Sequence, residues 1–99
     1  MKILLVCAGG MSTGLLMKKM EKYWADRNKT VTINAVGLAE YEDMYESYDV
    51  ILVAPQTRYK VDDIKEYTGK PTDVIDSTDY ALANCANIMK QVEALAARR

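Results

Sequence analysis

The chain has 99 residues, 49% of them apolar, and a formal charge of −1, the size of one ordinary domain that can bury a core without disulfide or metal staples. It contains no histidine, which removes the commonest general base and the commonest metal ligand together, and two cysteines alone cannot build a zinc site. Lysines scattered among acids argue against nucleic acid as a ligand, and no apolar run nears the roughly 18 residues of a membrane span, so a cytoplasmic domain with no metal, no cofactor and no direct membrane insertion is expected.

The first element is the short, uniformly apolar run Ile3-Leu4-Leu5-Val6, which reads as a strand buried on both faces of a sheet. Leu15, Leu16, Met20, Tyr23 and Trp24 follow at helical spacing. Val31-Thr32-Ile33-Asn34-Ala35 alternates apolar and polar and predicts a half-exposed edge strand. Leu38, Tyr41, Tyr45 and Tyr48 give a weaker helical pattern whose tyrosines are expected to pack as core or half-buried surface. Val50-Ile51-Leu52-Val53-Ala54 is a second fully apolar run and a second central strand. Val61, Ile64 and Thr68 form a weaker helical set, Thr72–Ile75 after Pro71 reads as the other edge strand, and Ala81, Cys85, Ile88, Val92 and Leu95 fall on one stripe of a last helix.

Strict alternation of strand and helix implies right-handed crossovers. The predicted fold is therefore α/β, a three-layer sandwich with a four-stranded parallel sheet of order 2-1-3-4 and helices on both faces, related to the cysteine-phosphatase and flavodoxin-like folds. Residues 1–99 read as a single domain. In such a sheet ligands bind beyond the carboxyl ends of the strands where the order reverses. That places "CAGGMSTG" (residues 7–14) beside "APQTRY" (residues 54–59).

A strand ending in Cys7, turning through Ala8-Gly9-Gly10-Met11 and starting a helix near Ser12-Thr13 aims unpaired backbone N–H groups at one point, which suits phosphate. The glycines permit close backbone approach, and Ser12 or Thr13 can cap the helix or donate a hydroxyl hydrogen bond. The same field stabilises a thiolate, making Cys7 a candidate nucleophile aimed at phosphorus. The competing reading is that Cys7 is a small buried residue closing a strand and the glycines only turn the chain.

Other phosphate loops fit less well. Gly9 and Gly14 have GxxxxG spacing, but Leu15-Leu16 stand where a nucleotide-binding loop needs Lys and Ser/Thr. A cysteine phosphatase's C-x5-R signature would put arginine at position 13, where this chain has Thr13, so the transferring group lacks a bidentate clamp. Hydrolysis should then be slow and a phosphocysteine could persist, which suggests a relay.

The stretches "LLVCAGGMSTGLL", "VILVAPQTRY" and "VIDSTDYALANC" resemble, respectively, the phosphorylation loop, the GPQ-x-x-Y stretch, and the last strand with the start of the final helix in the IIB components of the lactose/cellobiose (chitobiose) class of the bacterial phosphoenolpyruvate-dependent sugar phosphotransferase system. The resemblance implies that Cys7 accepts a phosphoryl group from a phosphohistidine of the IIA component and passes it to a sugar held by the membrane component IIC, a β-linked disaccharide such as cellobiose, chitobiose or lactose. It implies that Ala8, Gly9, Gly10, Met11, Ser12, Thr13 and Gly14 cradle the phosphate and that Pro55, Gln56 and Tyr59 flank it. The chain departs from the family pattern at Ala54, Gly14, Ala81 and Ala83. Two alternatives are a small cysteine-dependent phosphatase or arsenate-reductase-like enzyme, and a non-enzymatic module that binds an anion or a partner.

Outside the loop, Cys85 is expected in the core rather than in chemistry. Asp76 is expected to cap the final helix, Arg58 to be solvated on the rim, and Lys18, Lys19 and Lys22 to form a solvated helix face.

Overall fold

A computed structural model describes residues 1–7 and 13–97, with only the backbone of Thr13. Four strands, β1 (Lys2–Cys7), β2 (Thr32–Gly37), β3 (Val50–Val53) and β4 (Thr72–Val74), form one sheet in the order β2-β1-β3-β4 with every pairing parallel. The helices are α1 (Thr13–Asp26), α2 (Val61–Thr68), α3 (Ser77–Leu82) and α4 (Cys85–Ala96). Sheet order and layering are those expected from the sequence.

The two apolar runs occupy the centre because both of their faces are covered. Ile3 and Leu5 of β1 and Val50 and Leu52 of β3 pack with Leu16, Met20 and Trp24 of α1 and Ile88, Val92 and Leu95 of α4. The alternate residues, Leu4, Val6, Ile51 and Val53, meet Tyr41, Tyr48 and Ile64 on the opposite face. A period of two therefore divides each central strand between two cores. β2 is an edge: Thr32 and Asn34 are exposed, Ile33 is buried in the first core and Val36, three residues on and on the opposite face, in the second.

The segment after β2 departs from expectation. Instead of a helix through Leu38, Tyr41, Tyr45 and Tyr48, the chain makes two 3₁₀ turns, Tyr41–Asp43 and Tyr45–Ser47, closed by bonds such as Met44 N–H to the Tyr41 carbonyl at 3.1 Å. Glu40, Glu42, Asp43, Glu46 and Asp49 place like charges three and four apart with no base among them, which disfavours a continuous helix. The tyrosines pack nonetheless: Tyr41 and Tyr48 are buried and Tyr45 is half-buried. The Tyr48 hydroxyl accepts from Asn34 Nδ2 at 2.7 Å.

The last apolar stripe is also not one helix. Ala83, at φ 51° and ψ 49°, ends α3 in the left-handed region, and the Asn84 side chain caps α4 by accepting from the Asn87 N–H at 3.2 Å. Ala81 thus belongs to α3 and is exposed. Asp76, expected to cap the final helix, instead caps α3 by accepting from the N–H groups of Thr78 and Asp79, because the break at Ala83 separates α3 from α4. A Cβ in the left-handed region costs roughly 1 kcal/mol that glycine does not incur. Ala83→Gly should accordingly raise the unfolding free energy by about 0.5 kcal/mol after the added freedom of the unfolded chain is subtracted. A shift of the urea midpoint to lower concentration would show that Ala83 is not strained.

Candidate functional site

The carboxyl ends of the strands converge on Cys7. It is the last residue of β1, pairs in register with Gly37 of β2, and follows Val6, which faces Val53 of β3. Its side chain is 3% exposed, and Sγ donates to the Val36 carbonyl at 3.6 Å. The resting thiol is therefore turned toward β2. The expected cradle residues Ala8, Gly9, Gly10, Met11 and Ser12 lie outside the described residues. Thr13 begins α1 and Gly14 sits in its first turn, half-buried, so the helix starts where the sequence places it.

On the other flank, the Ala54 N–H donates to the Val6 carbonyl at 2.9 Å and ties the end of β3 to the peptide that leads into Cys7. The chain then enters a 3₁₀ segment, Pro55–Lys60, with proline at its start where a missing N–H does no harm. Of the expected rim residues, Pro55 is half-buried and Gln56 and Tyr59 are exposed. Tyr59 is 70% exposed, and Arg58 beside it is solvated as expected.

Beyond the rim lies a cleft of about 360 Å³ whose polar lining includes Arg58, Asp76, Ser77, Asp79, Asn87 and Gln91. Most of these groups are engaged in holding the end of β4 and the two last helices. Gln91 Nε2 donates to the Val74 carbonyl at 2.6 Å, Asn87 Nδ2 to Asp79 Oδ1 at 3.0 Å, and Asp76 caps α3. Asn87 and Gln91 were not singled out in the sequence, where they are merely polar positions on a helix. Thr57 was also missed: it is fully buried, and its hydroxyl lies 3.1 Å from the Ala54 carbonyl and 3.4 Å from that of Val6.

Cys85 is in the core, 9% exposed, among the residues of α1 and α4. Burial pushes its thiol up, against a smaller lowering by the charges of Lys19 and Arg27. Below pH 9 it thus carries less thiolate than an unburied cysteine, and iodoacetamide at pH 8 should alkylate it more slowly than glutathione, with denaturant removing the difference. Labelling at the rate of glutathione in the folded protein would contradict its burial. Among the described residues, no group of His, Cys, Asp and Glu side chains could hold a metal ion, and no helix is long and apolar enough to cross a membrane.

The profile of the family described as "PTS system, Lactose/Cellobiose specific IIB subunit" matches residues 2–91. The chain belongs to this family. It is 35% identical over 101 residues to the cellobiose-specific EIIB component of Lactococcus lactis, with 94% of each chain covered. It is 35% identical to a lactose-specific EIICB component of the same species over 68 residues, which span 69% of this chain and 12% of that one. The solution structure of a cellobiose-specific phosphotransferase IIB component from Borrelia burgdorferi superposes with a TM-score of 0.81 at 32% identity, covering 99% of this chain and 93% of the other. As a IIB component, the protein is a phosphotransferase of the sugar phosphotransferase system, and its sheet of order β2-β1-β3-β4 is the fold of its structural relative.

Proposed function

We propose that residues 1–99 act as one cytoplasmic carrier domain that takes a phosphoryl group from a phosphohistidine of a IIA component onto Cys7 and delivers it to a sugar bound by a IIC component. The observation that carries this reading is the placement of Cys7 at the carboxyl end of a central strand, six residues before the start of α1 and beside the end of β3. The N–H groups at the start of that helix favour a phosphate dianion.

In the first step the Cys7 thiolate attacks phosphorus in line; the S–P bond forms as the P–N bond breaks, and the imidazole leaves. In the second step a sugar hydroxyl attacks phosphorus, the S–P bond breaks, the thiolate is regenerated, and the hydroxyl proton passes to a base beside the sugar. With Thr13 where a cysteine phosphatase has arginine, water is a poor acceptor and the phosphocysteine lasts long enough to be passed on.

Exposed apolar side chains supply the docking surface. Leu15, Tyr59 and Leu82 are 65%, 70% and 72% exposed, and they stand on α1, on Pro55–Lys60 and on α3, the segments that follow the ends of β1, β3 and β4. Such side chains suit a partner that covers them transiently. The EIICB relative joins the B and C components in its name, which supports IIC as the receiving partner. The relatives' names include both cellobiose and lactose, and a β-linked disaccharide is the sugar class we assign.

The test is to incubate the protein with labelled phosphoenolpyruvate, the general phosphotransferase proteins and a IIA component. Label should enter the chain only when IIA is present and move to cellobiose or lactose when membranes carrying IIC are added. Fast hydrolysis of a chromogenic phosphate ester by the protein alone would instead favour a phosphatase.

A further inference from the structure

We propose that Thr57 is a positioning residue for the transfer step, a buried hydroxyl that sets the peptide leading into Cys7; the inference rests on the phosphocysteine reading above. Thr57 lies in the middle of the rim segment, between Gln56 and Tyr59, and is fully buried while Gln56, Arg58 and Tyr59 around it are exposed. Its backbone, at φ −114° and ψ 17°, departs from the helical values of its neighbours and bends the segment at this residue. The hydroxyl stands 3.1 Å from the Ala54 carbonyl and 3.4 Å from the Val6 carbonyl. It has one hydrogen to give, shared between two acceptors and held mainly by the nearer.

Neither carbonyl depends on that hydroxyl for a partner. The Ala54 carbonyl already accepts from the Thr57 N–H at 2.9 Å, and the Val6 carbonyl from the Ala54 N–H at 2.9 Å. Valine, which has nearly the same shape, would leave both carbonyls satisfied and bury one polar group fewer. Chain stability therefore gives little reason for a hydroxyl here. The Val6 carbonyl, however, belongs to the peptide that joins Val6 to Cys7, and its plane sets the direction of the Cys7 N–H and of the N–Cα bond about which the Cys7 side chain is carried. Ala54 N–H and Thr57 Oγ1 approach this carbonyl from the β3 side, while Cys7 Sγ is held from the β2 side by Val36. The second contact restricts rotation of the peptide at the one point where the nucleophile's angle of attack is decided.

The experiment compares Thr57→Val and Thr57→Ser with the wild type in transfer from phosphorylated IIA, measuring kcat, the KM for IIA and the thermal midpoint. Thr57→Val should keep its midpoint and KM and lose roughly tenfold in kcat, because small misplacements of a reacting group are expensive in rate. Thr57→Ser, which restores the hydroxyl without the methyl, should recover most of that kcat even where its midpoint falls. A wild-type kcat in Thr57→Val overturns the proposal. So does a raised KM at unchanged kcat, which would make Thr57 a support for docking, or a loss of kcat in Thr57→Ser equal to that in Thr57→Val, which would make it packing. If Thr57→Val does not fold, Thr57→Ser against Thr57→Ala decides, the alanine variant being the slow one. Wild-type protein that takes no phosphate from an active IIA would overturn the phosphocysteine reading itself, an outcome separate from all of these.

Discussion

Cys7→Ser should fold like the wild type and transfer no phosphoryl group above background. A serine hydroxyl stays protonated at neutral pH and is a far weaker nucleophile than a thiolate, while no histidine exists in the chain to activate it. The structural cost is small. Serine can donate to the Val36 carbonyl as the thiol does, so a loss of about 1 kcal/mol or less is expected from exchanging a buried thiol for a buried hydroxyl. Circular dichroism and urea unfolding check the fold, and the labelled transfer assay checks the chemistry. Transfer at the wild-type rate by this variant would remove Cys7 from the mechanism.

The largest expected loss of stability comes from Leu52→Ala. Leu52 is fully buried in the centre of β3, between Leu5 of β1 and Asp73 of β4, and faces the core formed with α1 and α4. Removing its side chain forfeits the burial of three carbons and leaves a cavity that a sheet paired on both sides cannot collapse around, at a cost of roughly 3 kcal/mol. That is a large fraction of the roughly 5–15 kcal/mol by which such domains are stable. Trp24, the single tryptophan, is buried in the same core, so its fluorescence follows unfolding in urea directly. A loss below about 1 kcal/mol would mean that this core is loosely packed.

How far the fold could be read in advance depended on where burial dominates. Ile3–Val6 and Val50–Ala54 are apolar at every position, and only a strand covered on both faces satisfies all of those side chains at once. Two such strands, joined by crossovers, leave little choice of order, and the site follows from that order because β1 and β3 end side by side. The tyrosine segment misled because three-and-four spacing is satisfied equally by successive 3₁₀ turns that bring Tyr41 and Tyr48 to the sheet, and the run of acids tips the balance locally. The last stripe misled for a different reason. Cys85, Ile88, Val92 and Leu95 do share a helix face, but Ala83 carries no glycine signal to announce the left-handed residue that separates them from Ala81.

The juxtaposition of Cys7 with the stretch from Ala54 to Tyr59 was legible from the order of the strands, whereas Pro55, Gln56 and Tyr59 were singled out only by the family resemblance. Thr57 was not. A threonine within "PQTRYK" reads as one more solvated residue, and its burial follows only from the bend at its own backbone, which turns its side chain onto the end of β1. The polar residues of the neighbouring cleft were hidden in the same way, since Asn87 and Gln91 gain meaning only when β4 and α3 come to rest against α4.

The central claim, a phosphoryl group carried on Cys7, is tested most directly by the intact mass of the protein. It would be mixed with phosphoenolpyruvate, the general phosphotransferase proteins and a IIA component, then mapped by peptide under conditions that spare thiophosphate. One phosphate on the peptide that contains Cys7, present only with IIA, is the expected result. An unmodified Cys7 after incubation with several active IIA proteins, in a chain that remains folded, would contradict the account.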